Sequence, residues 1–182
     1  MQAKKPRGLN DRRKKIVNWG RCESRHQESR IQERLGTRRP LTEWGKSMGC
    51  EPLDCVWKHW FVEQPERVLD LLDINYLRMA KEGMDATTKA CVWNLSQNVD
   101  RNSLNMTPGL CPCLTPTMLP FVTNRGGPLL GLECLSLQGI PVKDLLLTKE
   151  SEAQKLDLAG NAMTTTVVGA ALLSALLSAD DV

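Results

Sequence analysis

The stretch that decides the fold is "DLAGNAMTTTVVGAALLSALL", which runs from Asp157 to Leu177 near the end of the sequence. Small and branched apolar residues follow Gly160-Asn161-Ala162, and they predict a helix that begins immediately after this tripeptide. Gly160 allows another backbone to approach closely, and asparagine is one of the residue types that cap helix N-termini. The sequence therefore predicts an apolar helix capped by Asn161.

The apolar run is too short for an ordinary membrane span. It extends for thirteen residues from Val167 to Ala179 and includes Ser174 and Ser178. A span needs about 20 apolar residues, whereas runs of about 10–14 usually form buried helices. The sequence opens with "MQAKKPRGLNDRRKK", behind which no apolar signal segment follows. We therefore expect a soluble, intracellular protein with no membrane partner.

Length and cysteine content favour a reduced chain without a structural metal. A sequence of 182 residues suffices for one domain with a core, or for a piece of a larger one. The cysteines are odd in number and scattered, and they do not form the paired Cys-x2-Cys motifs of a zinc site. We expect reduced thiols and no bound metal. The seven cysteines are Cys22, Cys50, Cys55, Cys91, Cys111, Cys113 and Cys134.

The net charge of +3 conceals a strong asymmetry along the chain. Residues 1–50 contain 14 Lys and Arg against 5 Asp and Glu, whereas the remaining residues contain 10 against 16. A basic arm of this kind is typical of polyanion binding, and it predicts that Arg12, Arg13, Lys14 and Lys15 contact nucleic acid. The alternatives are a solvated, weakly ordered tail or a nuclear-import signal.

The change of composition near residue 50 divides the chain into a basic arm, residues 1–50, and a folded region, residues 51–182. In the folded region, Pro65 opens a helix that Gly83 stops. Trp57, Trp60 and Phe61 are expected to pack on this helix as an aromatic cluster. The apolar residues that share its predicted buried face are Val68, Leu71, Leu72, Tyr76 and Met79.

The arm and the later segments have weaker signals. A helix is predicted to end at Gly36, but Ile31 and Leu35 are its only apolar residues, so little is expected to hold it to a core. Cys91 to Val99 predicts a short strand, and a Pro-, Thr- and Gly-rich loop follows. Two further helices are predicted to end at Gly139 and Gly160.

Two of these segments, in this order, resemble the ninth and tenth sequence motifs of the DNA (cytosine-5) methyltransferases. The ninth motif stands here as "RGGPLLGLECLSLQGIP", and the tenth as "GNAMTTTVVGAALLSAL". "PCLTPTMLPFVTNRGGPL" and "DLAGNAM" are most similar to the fungal and algal branch that is fused to a helicase-like ATPase. The resemblance covers about residues 91–178. The matching positions of the ninth motif are Arg125, Leu129, Glu133, Leu137, Gln138, Gly139 and Pro141, with Ile140 in place of the usual Phe.

The resemblance implies an α/β fold, namely the C-terminal fragment of a Rossmann-like S-adenosylmethionine-dependent methyltransferase with its target-recognition region. This fragment is expected to be mainly helical, with few strands and long loops. In the family the tenth-motif turn closes over the methionine end of S-adenosylmethionine, so Asn161, Ala162 and Met163 are expected to bind this cofactor. The ninth motif implies structural roles for Arg125 and Glu133, with a DNA phosphate contact by Arg125 as the alternative.

The residues that perform the family's chemistry are missing from the sequence. The reaction needs a thiolate that attacks C6 of a flipped-out cytosine and an acid group at N3. The sequence contains no Pro-Cys-Gln nucleophile loop and no Glu-Asn-Val segment. Leu114 stands where the glutamine would follow Pro112-Cys113, and Arg125 comes only twelve residues after Cys113. Cys113 is therefore not expected to be the nucleophile.

Two functions from different classes remain open. The chain is either a partial DNA cytosine-5 methyltransferase, active only when joined to the missing catalytic half, or a non-catalytic nucleic-acid-binding or interaction module derived from that family. The intact "GNAM" favours the first function, because a module that only binds nucleic acid or protein does not need residues that bind a cofactor. The expected partners are DNA and the missing half, and the expected location is the nucleus.

Overall fold

The computed structural model describes residues 19–42, 58–102, 104–147 and 149–179. The chain divides into two compact units. Unit 1 comprises Met1–Pro112 and Leu119–Pro128, and unit 2 comprises Cys113–Met118 and Leu129–Val182. The compositional boundary near residue 50 lies outside the described residues, and the division into an arm and a folded region stays a prediction.

The described residues in the first part of unit 1 form helices α1 (Trp19–Gln32), α2 (Lys58–Glu63) and α3 (Glu66–Lys81). α3 begins directly after Pro65, whose extended backbone leads into the first helical turn. It ends two residues before Gly83, which adopts a positive φ of 74°. The helix predicted between this proline and this glycine is confirmed.

The predicted apolar face of α3 forms the core of unit 1. Val68, Leu71, Leu72 and Met79 are almost completely buried, and Tyr76 packs against the same core while partly exposed. Burying four such side chains is favourable by about 1.5–3 kcal/mol each. The helical periodicity of the sequence therefore identified the correct face.

Polar side chains hold α1 to α3. The sequence predicted that little would attach this segment to a core, because Ile31 and Leu35 are its only apolar residues. That prediction was wrong, because charged side chains, rather than buried apolar surface, attach α1 to α3. His26 and Arg30 are buried on α1, and both contact the carboxylate of Asp70 on α3.

A small antiparallel sheet completes unit 1. β1 (Val92–Asn94) pairs with β2 (Pro120–Val122), and β2 pairs with β3 (Gly127–Pro128). The predicted strand between residues 91 and 99 is confirmed but is shorter than expected. The Pro-, Thr- and Gly-rich segment, which was predicted to be mainly loop, contributes β2 and β3. The partner of β1 is thus more than twenty residues away in the sequence.

Aromatic rings connect the sheet to α2. Trp93 on β1 stacks on Phe121 of β2, with ring centroids 6.2 Å apart. Trp60 and Phe61 approach the same Phe121 ring at 5.6 and 6.1 Å. The predicted aromatic cluster is confirmed for these two residues, whereas Trp57 lies outside the described residues.

Unit 2 is built from helices α4 (Gly131–Leu137), α5 (Glu152–Asn161) and α6 (Thr165–Ala179). Ser151 caps α5, since its hydroxyl accepts from the Gln154 backbone N–H while the Gln154 side chain accepts from the Ser151 backbone N–H. Cys134 and Leu135 of α4 and Ala159 of α5 form the buried core of this unit. The two helices predicted from Gly139 and Gly160 are therefore present.

Gly131 permits the close packing of α4 on α5. A Cβ atom at this position would overlap the Lys155 side chain of α5 and would press on the Glu152 carbonyl oxygen. The Gly131 N–H also donates to the Glu152 carboxylate over 2.8 Å. The first residue of α4 is thus held directly against the first turn of α5.

α6 is apolar on every side and has no buried residue. The segment Glu152–Ala179 meets a length and hydropathy criterion for a membrane span, with mean hydropathy 1.7 over 18 residues. It consists of two helices, because the backbone is extended at Ala162 (ψ 148°). α6 itself is about 22 Å long, less than the bilayer core of about 30 Å. That the protein has no membrane partner stays a prediction.

Helices and one small sheet are compatible with the α/β class that the sequence predicted. Among the described residues the helices predominate, the strands are short, and the connecting segments are long, as expected. The described sheet is antiparallel throughout. The Rossmann-like sheet implied by the resemblance is not among these described strands, and it stays a prediction.

Candidate functional site

The two motif segments meet inside unit 2 through the side chain of Gln138. Its Nε2 donates to the Ala159 carbonyl oxygen over 2.9 Å, and its Oε1 accepts from the Thr164 hydroxyl over 2.7 Å. Gln138 itself is 8% exposed. The glutamine of the ninth motif thus bonds residues on both sides of the Asn161–Met163 turn of the tenth.

Backbone groups reinforce this junction. The Thr165 N–H donates to the Gln138 carbonyl oxygen, and the Thr165 hydroxyl donates to the Gly139 carbonyl oxygen, both over 2.9 Å. Gly139 has φ +75°, and a Cβ there would overlap the Thr165 hydroxyl. Glycine is therefore required at this position both for its backbone conformation and for space.

A third segment of unit 2 packs against the last turn of α5. A Cβ at Gly160 would overlap the backbone of Thr115 and Pro116. The close backbone approach predicted at Gly160 is therefore present, but it is made by the Thr-rich segment of this same chain. Gly160 also lies inside α5 rather than in a turn.

The predicted capping role of Asn161 is wrong. Asn161 is the last residue of α5, and its Nδ2 donates to the Asp157 carbonyl oxygen over 2.9 Å, one turn back in the same helix. α6 begins only at Thr165. The reason is that α5 continues through Gly160 and Asn161, so the asparagine satisfies a carbonyl at a helix C-terminus instead of an N–H at an N-terminus.

The three residues expected to bind the cofactor form an accessible connection between α5 and α6. Asn161 is exposed, Ala162 is half-buried, and Met163 is 74% exposed. The first turn of α6 contains no acidic side chain that would neutralise the positive end of its dipole. An anionic group is therefore favoured at the start of α6, and disfavoured at Asn161 itself, which lies at the negative end of α5.

Arg125 lies in unit 1, in the turn between β2 and β3. Its Nη2 donates to the Pro128 carbonyl oxygen, and Gly126 beside it has φ +67°. These contacts fit the structural role that was expected for this residue. Glu133 lies in unit 2, where its carboxylate accepts from the Leu130 N–H over 2.7 Å and caps the start of α4.

Two further sequence predictions concern the basic residues and Cys113. Arg12, Arg13, Lys14 and Lys15 lie outside the described residues, so their contacts with nucleic acid stay a prediction. Cys113 is exposed, and its thiol contacts only the adjacent Leu114 carbonyl oxygen among the hydrogen bonds of the described residues. Sequence reasoning missed Thr164 and Thr165, although a run of hydroxyl residues in front of an apolar helix was an available signal.

Two proteins of known identity are similar to this chain over most of its length. The DNA (cytosine-5-)-methyltransferase DMT5 of Cryptococcus neoformans var. grubii is 58% identical over 163 residues, or 90% of the chain. That of Verticillium dahliae is 40% identical over 158 residues, or 86% of the chain. The chain is homologous to a segment of DNA (cytosine-5-)-methyltransferases. The resemblance drawn from the two motifs is thereby confirmed.

The homologous segment is a small part of these enzymes. The chain spans about 7% of the length of each of the two relatives. No family model matches the chain. The relatives therefore show which proteins contain a segment similar to this chain, while the activity of the whole protein stays a matter for proposal.

Proposed function

We propose that this chain is part of a DNA cytosine-5 methyltransferase, which transfers a methyl group from S-adenosylmethionine to C5 of cytosine when the chain is joined to a catalytic half. The observation that carries this proposal is the identity with two such methyltransferases along nearly the whole chain. The hydrogen bonds of Gln138 with Ala159 and Thr164 also support it, because they join the end of the ninth-motif segment to the residues around the tenth-motif turn.

This chain contributes the part of the cofactor site that would bind the methionine end of S-adenosylmethionine. S-adenosylmethionine, when bound, supplies the methyl group. Asn161, Ala162 and Met163 are accessible and lead into the unneutralised N-terminus of α6, which fits the carboxylate of an amino acid. The Rossmann-like sheet that would carry the rest of the cofactor belongs to the catalytic half.

α6 is the surface through which the chain joins that half. A helix that is apolar all round is normally buried inside a larger protein. Here the leucines at 172, 173, 176 and 177 are each 59–68% exposed, and the chain spans only about 7% of its relatives. The remainder of the enzyme therefore offers the apolar surface that would cover α6.

DNA is the proposed substrate and the nucleus the proposed location. The basic residues Arg12 to Lys15 would contact phosphates, and the ninth-motif segment would organise the region that surrounds the target. Arg125 contributes indirectly, because its described contact closes the β2–β3 turn. The alternative is a non-catalytic module derived from this family. Such a module would retain the DNA contacts but would not need Asn161, Ala162 and Met163 to bind a cofactor.

The test uses a hybrid enzyme, defined as the Cryptococcus relative with its matching segment replaced by this chain. We expect the hybrid to transfer labelled methyl groups from S-adenosylmethionine to cytosine-containing duplex DNA, whereas the isolated chain transfers none. The hybrid with Cys113→Ser is the control and should remain active. An inactive but folded hybrid would favour the non-catalytic module, and incorporation by the isolated chain that Cys113→Ser abolishes would overturn the assignment of the missing nucleophile.

A further inference from the structure

We propose that Gln138 is a positioning residue that sets the conformation of the Asn161–Met163 turn, and that it thereby couples the ninth-motif helix to cofactor affinity. The first half of this inference concerns the chain alone, and the second half rests on the proposed function. The carrying observation is that one buried side chain bonds residues before and after the turn.

Both the nitrogen and the oxygen of the Gln138 side-chain amide form hydrogen bonds. Its donor bonds the Ala159 carbonyl oxygen near the end of α5, and its acceptor receives the Thr164 hydroxyl at the start of α6. A glutamate would keep the acceptor and lose the donor, and a leucine would lose both while keeping a similar size. The position therefore needs a side-chain amide and not merely a side chain of this volume.

The two bonded residues bracket the segment that is expected to bind the cofactor. Ala159 precedes Asn161 by two positions, and Thr164 directly follows Met163. The backbone bond from the Thr165 N–H to the Gln138 carbonyl oxygen fixes the same end of the turn again. The intervening residues are largely exposed, so these bonds at the ends, rather than burial, hold the connection in shape.

The location of Gln138 explains how α4 would influence the turn without touching a ligand. Gln138 directly follows α4, whose Cys134 and Leu135 are buried in the core of unit 2. The Gln138 side chain is thus anchored at the end of the packed helix α4. Its hydrogen bonds restrict the motion of residues 159–164. A residue that acts in this way alters the population of the binding conformation and so the apparent affinity.

The first measurement is amide hydrogen exchange in the full 182-residue chain. Gln138→Leu should speed exchange at Ala162 and Thr165, whose N–H groups donate to the Leu158 and Gln138 carbonyl oxygens, by roughly tenfold or more, because about 1.4 kcal/mol corresponds to a factor of ten. Thr164→Val should produce a smaller increase at the same residues, and Thr164→Ser should restore the original rates. Ser136→Ala is the matched control, since the exposed Ser136 hydroxyl donates to the Leu132 carbonyl oxygen within α4 and not to the turn.

The second measurement is the dissociation constant of S-adenosylmethionine in the hybrid enzyme. We expect Gln138→Leu and Thr164→Val to raise it by several-fold to about tenfold, with Thr164→Ser and Ser136→Ala close to the unmodified hybrid. A purely structural role would lower the melting temperature of the variants while leaving the affinity of the folded protein unchanged. Thr164→Val serves as the second variant in case Gln138→Leu does not fold.

The outcomes separate the two proposals. Unchanged exchange at Ala162 and Thr165 in both Gln138→Leu and Thr164→Val would overturn the positioning role. Faster exchange without any change in cofactor affinity would support the positioning role and overturn its coupling to the cofactor. An unmodified hybrid that folds but does not bind S-adenosylmethionine would instead overturn the proposed function, whatever the exchange rates show.

Discussion

At the scale of single residues, the glycines and polar side chains of unit 2 have separate tasks. Gly131, Gly139 and Gly160 each make room for another part of the chain, whereas a Cβ at Gly169 on α6 would meet no other segment of the described residues within 4 Å. Asn161 ends α5, and Gln138 bonds both sides of the following turn. Stability and cofactor binding should therefore respond to different substitutions.

Gly160→Ala should destabilise the chain, because the new methyl group would overlap the backbone of Thr115 and Pro116, which cannot rotate away. Overpacking of this kind costs about 1–3 kcal/mol. Gly169→Ala is the matched control, and it should stabilise α6 by about 0.5–1 kcal/mol since an alanine favours a helix interior. The measurement is the free energy of unfolding from urea titration. Equal effects of the two substitutions would contradict the packing described at Gly160.

Asn161→Ala should separate a cofactor role from a structural one. The hydrogen bond from Asn161 to Asp157 is exposed, so its loss should change the free energy of unfolding by less than about 0.5 kcal/mol. A side-chain hydrogen bond to a charged group of the cofactor is worth about 1.5–3 kcal/mol, so its loss would weaken S-adenosylmethionine binding by the hybrid about tenfold or more. Calorimetry of the hybrid would measure this affinity, and an unchanged value would remove Asn161 from the cofactor site.

At the scale of elements, α1 and the segment after it are joined to α3 by charged groups. Asp70 contacts His26 and Arg30, and Asp73 accepts from the Leu41 N–H and from Arg39. Burial raises the pKa of Asp73, which has no exposed side-chain area. Such buried charges are costly when unpaired, so the association depends on every partner being in place.

Asp70→Asn should loosen α1 in a pH-dependent way. Burial raises the pKa of Asp70, but hydrogen bonds from His26 and Arg30 outweigh burial, so that its pKa lies below the ordinary value of 3.8. A lowered pKa means that the stabilisation is present above this value and is lost as pH falls through the folded-state pKa. The variant should therefore lose about 3–5 kcal/mol near neutral pH and less in acid.

Melting temperatures from pH 7 down to pH 2 would test this dependence. The difference between the wild-type chain and Asp70→Asn should be constant at neutral pH and shrink below pH 3.8. Asp144→Asn provides the control, because Asp144 is exposed and its substitution should have little effect. A difference that grows on acidification would contradict the ion pairs of Asp70.

α6 stands apart among the described helices because its apolar residues are exposed. Leu172→Asp should leave the melting temperature of the isolated chain nearly unchanged, since this side chain is 61% exposed. In the hybrid enzyme the same charge would lie in an apolar interface, and we expect methyl transfer to be lost. Leu146→Asp is the control, with a leucine 91% exposed in a loop. Equal activity of both hybrids would show that α6 is not the joining surface.

At the scale of the whole molecule, the first fifty residues carry the excess of positive charge. Part of this region belongs to the folded structure of unit 1, because His26, Arg30 and Arg39 form ion pairs with carboxylates of α3. Deleting residues 1–50 would therefore disturb unit 1 as well as any DNA contact. Substitution of the basic residues that precede α1 separates the two effects.

We expect the chain to bind duplex DNA weakly and without sequence preference, through phosphate contacts of Arg12, Arg13, Lys14 and Lys15. Replacing all four by Gln should weaken binding and reduce the slope of log affinity against log salt by about 0.9 for each phosphate that these side chains neutralise. Fluorescence anisotropy with a labelled duplex at several salt concentrations measures both quantities. An unchanged salt slope in the fourfold variant would exclude these residues from the DNA interface.

Periodicity and motif order in the sequence by themselves determined the bounds and buried face of α3, the presence of α4 and α5, and the resemblance to a segment of the DNA (cytosine-5-)-methyltransferases. These features are local, because a helix face depends on residues three and four positions apart. The motif match likewise depends only on residue identities in order.

Tertiary structure alone decided where the polar side chains find their partners. His26 bonds Asp70 across 44 positions, and Gln138 bonds Ala159 across 21, and no local pattern specifies such pairs. The same reason explains Asn161, whose sequence suits either helix end: α5 extends through Gly160 because that glycine packs against Thr115 and Pro116, and this extension places the asparagine at a C-terminus. The local sequence allows such a residue to occupy either end of a helix. The packing of segments that are distant in the sequence determines which end it occupies.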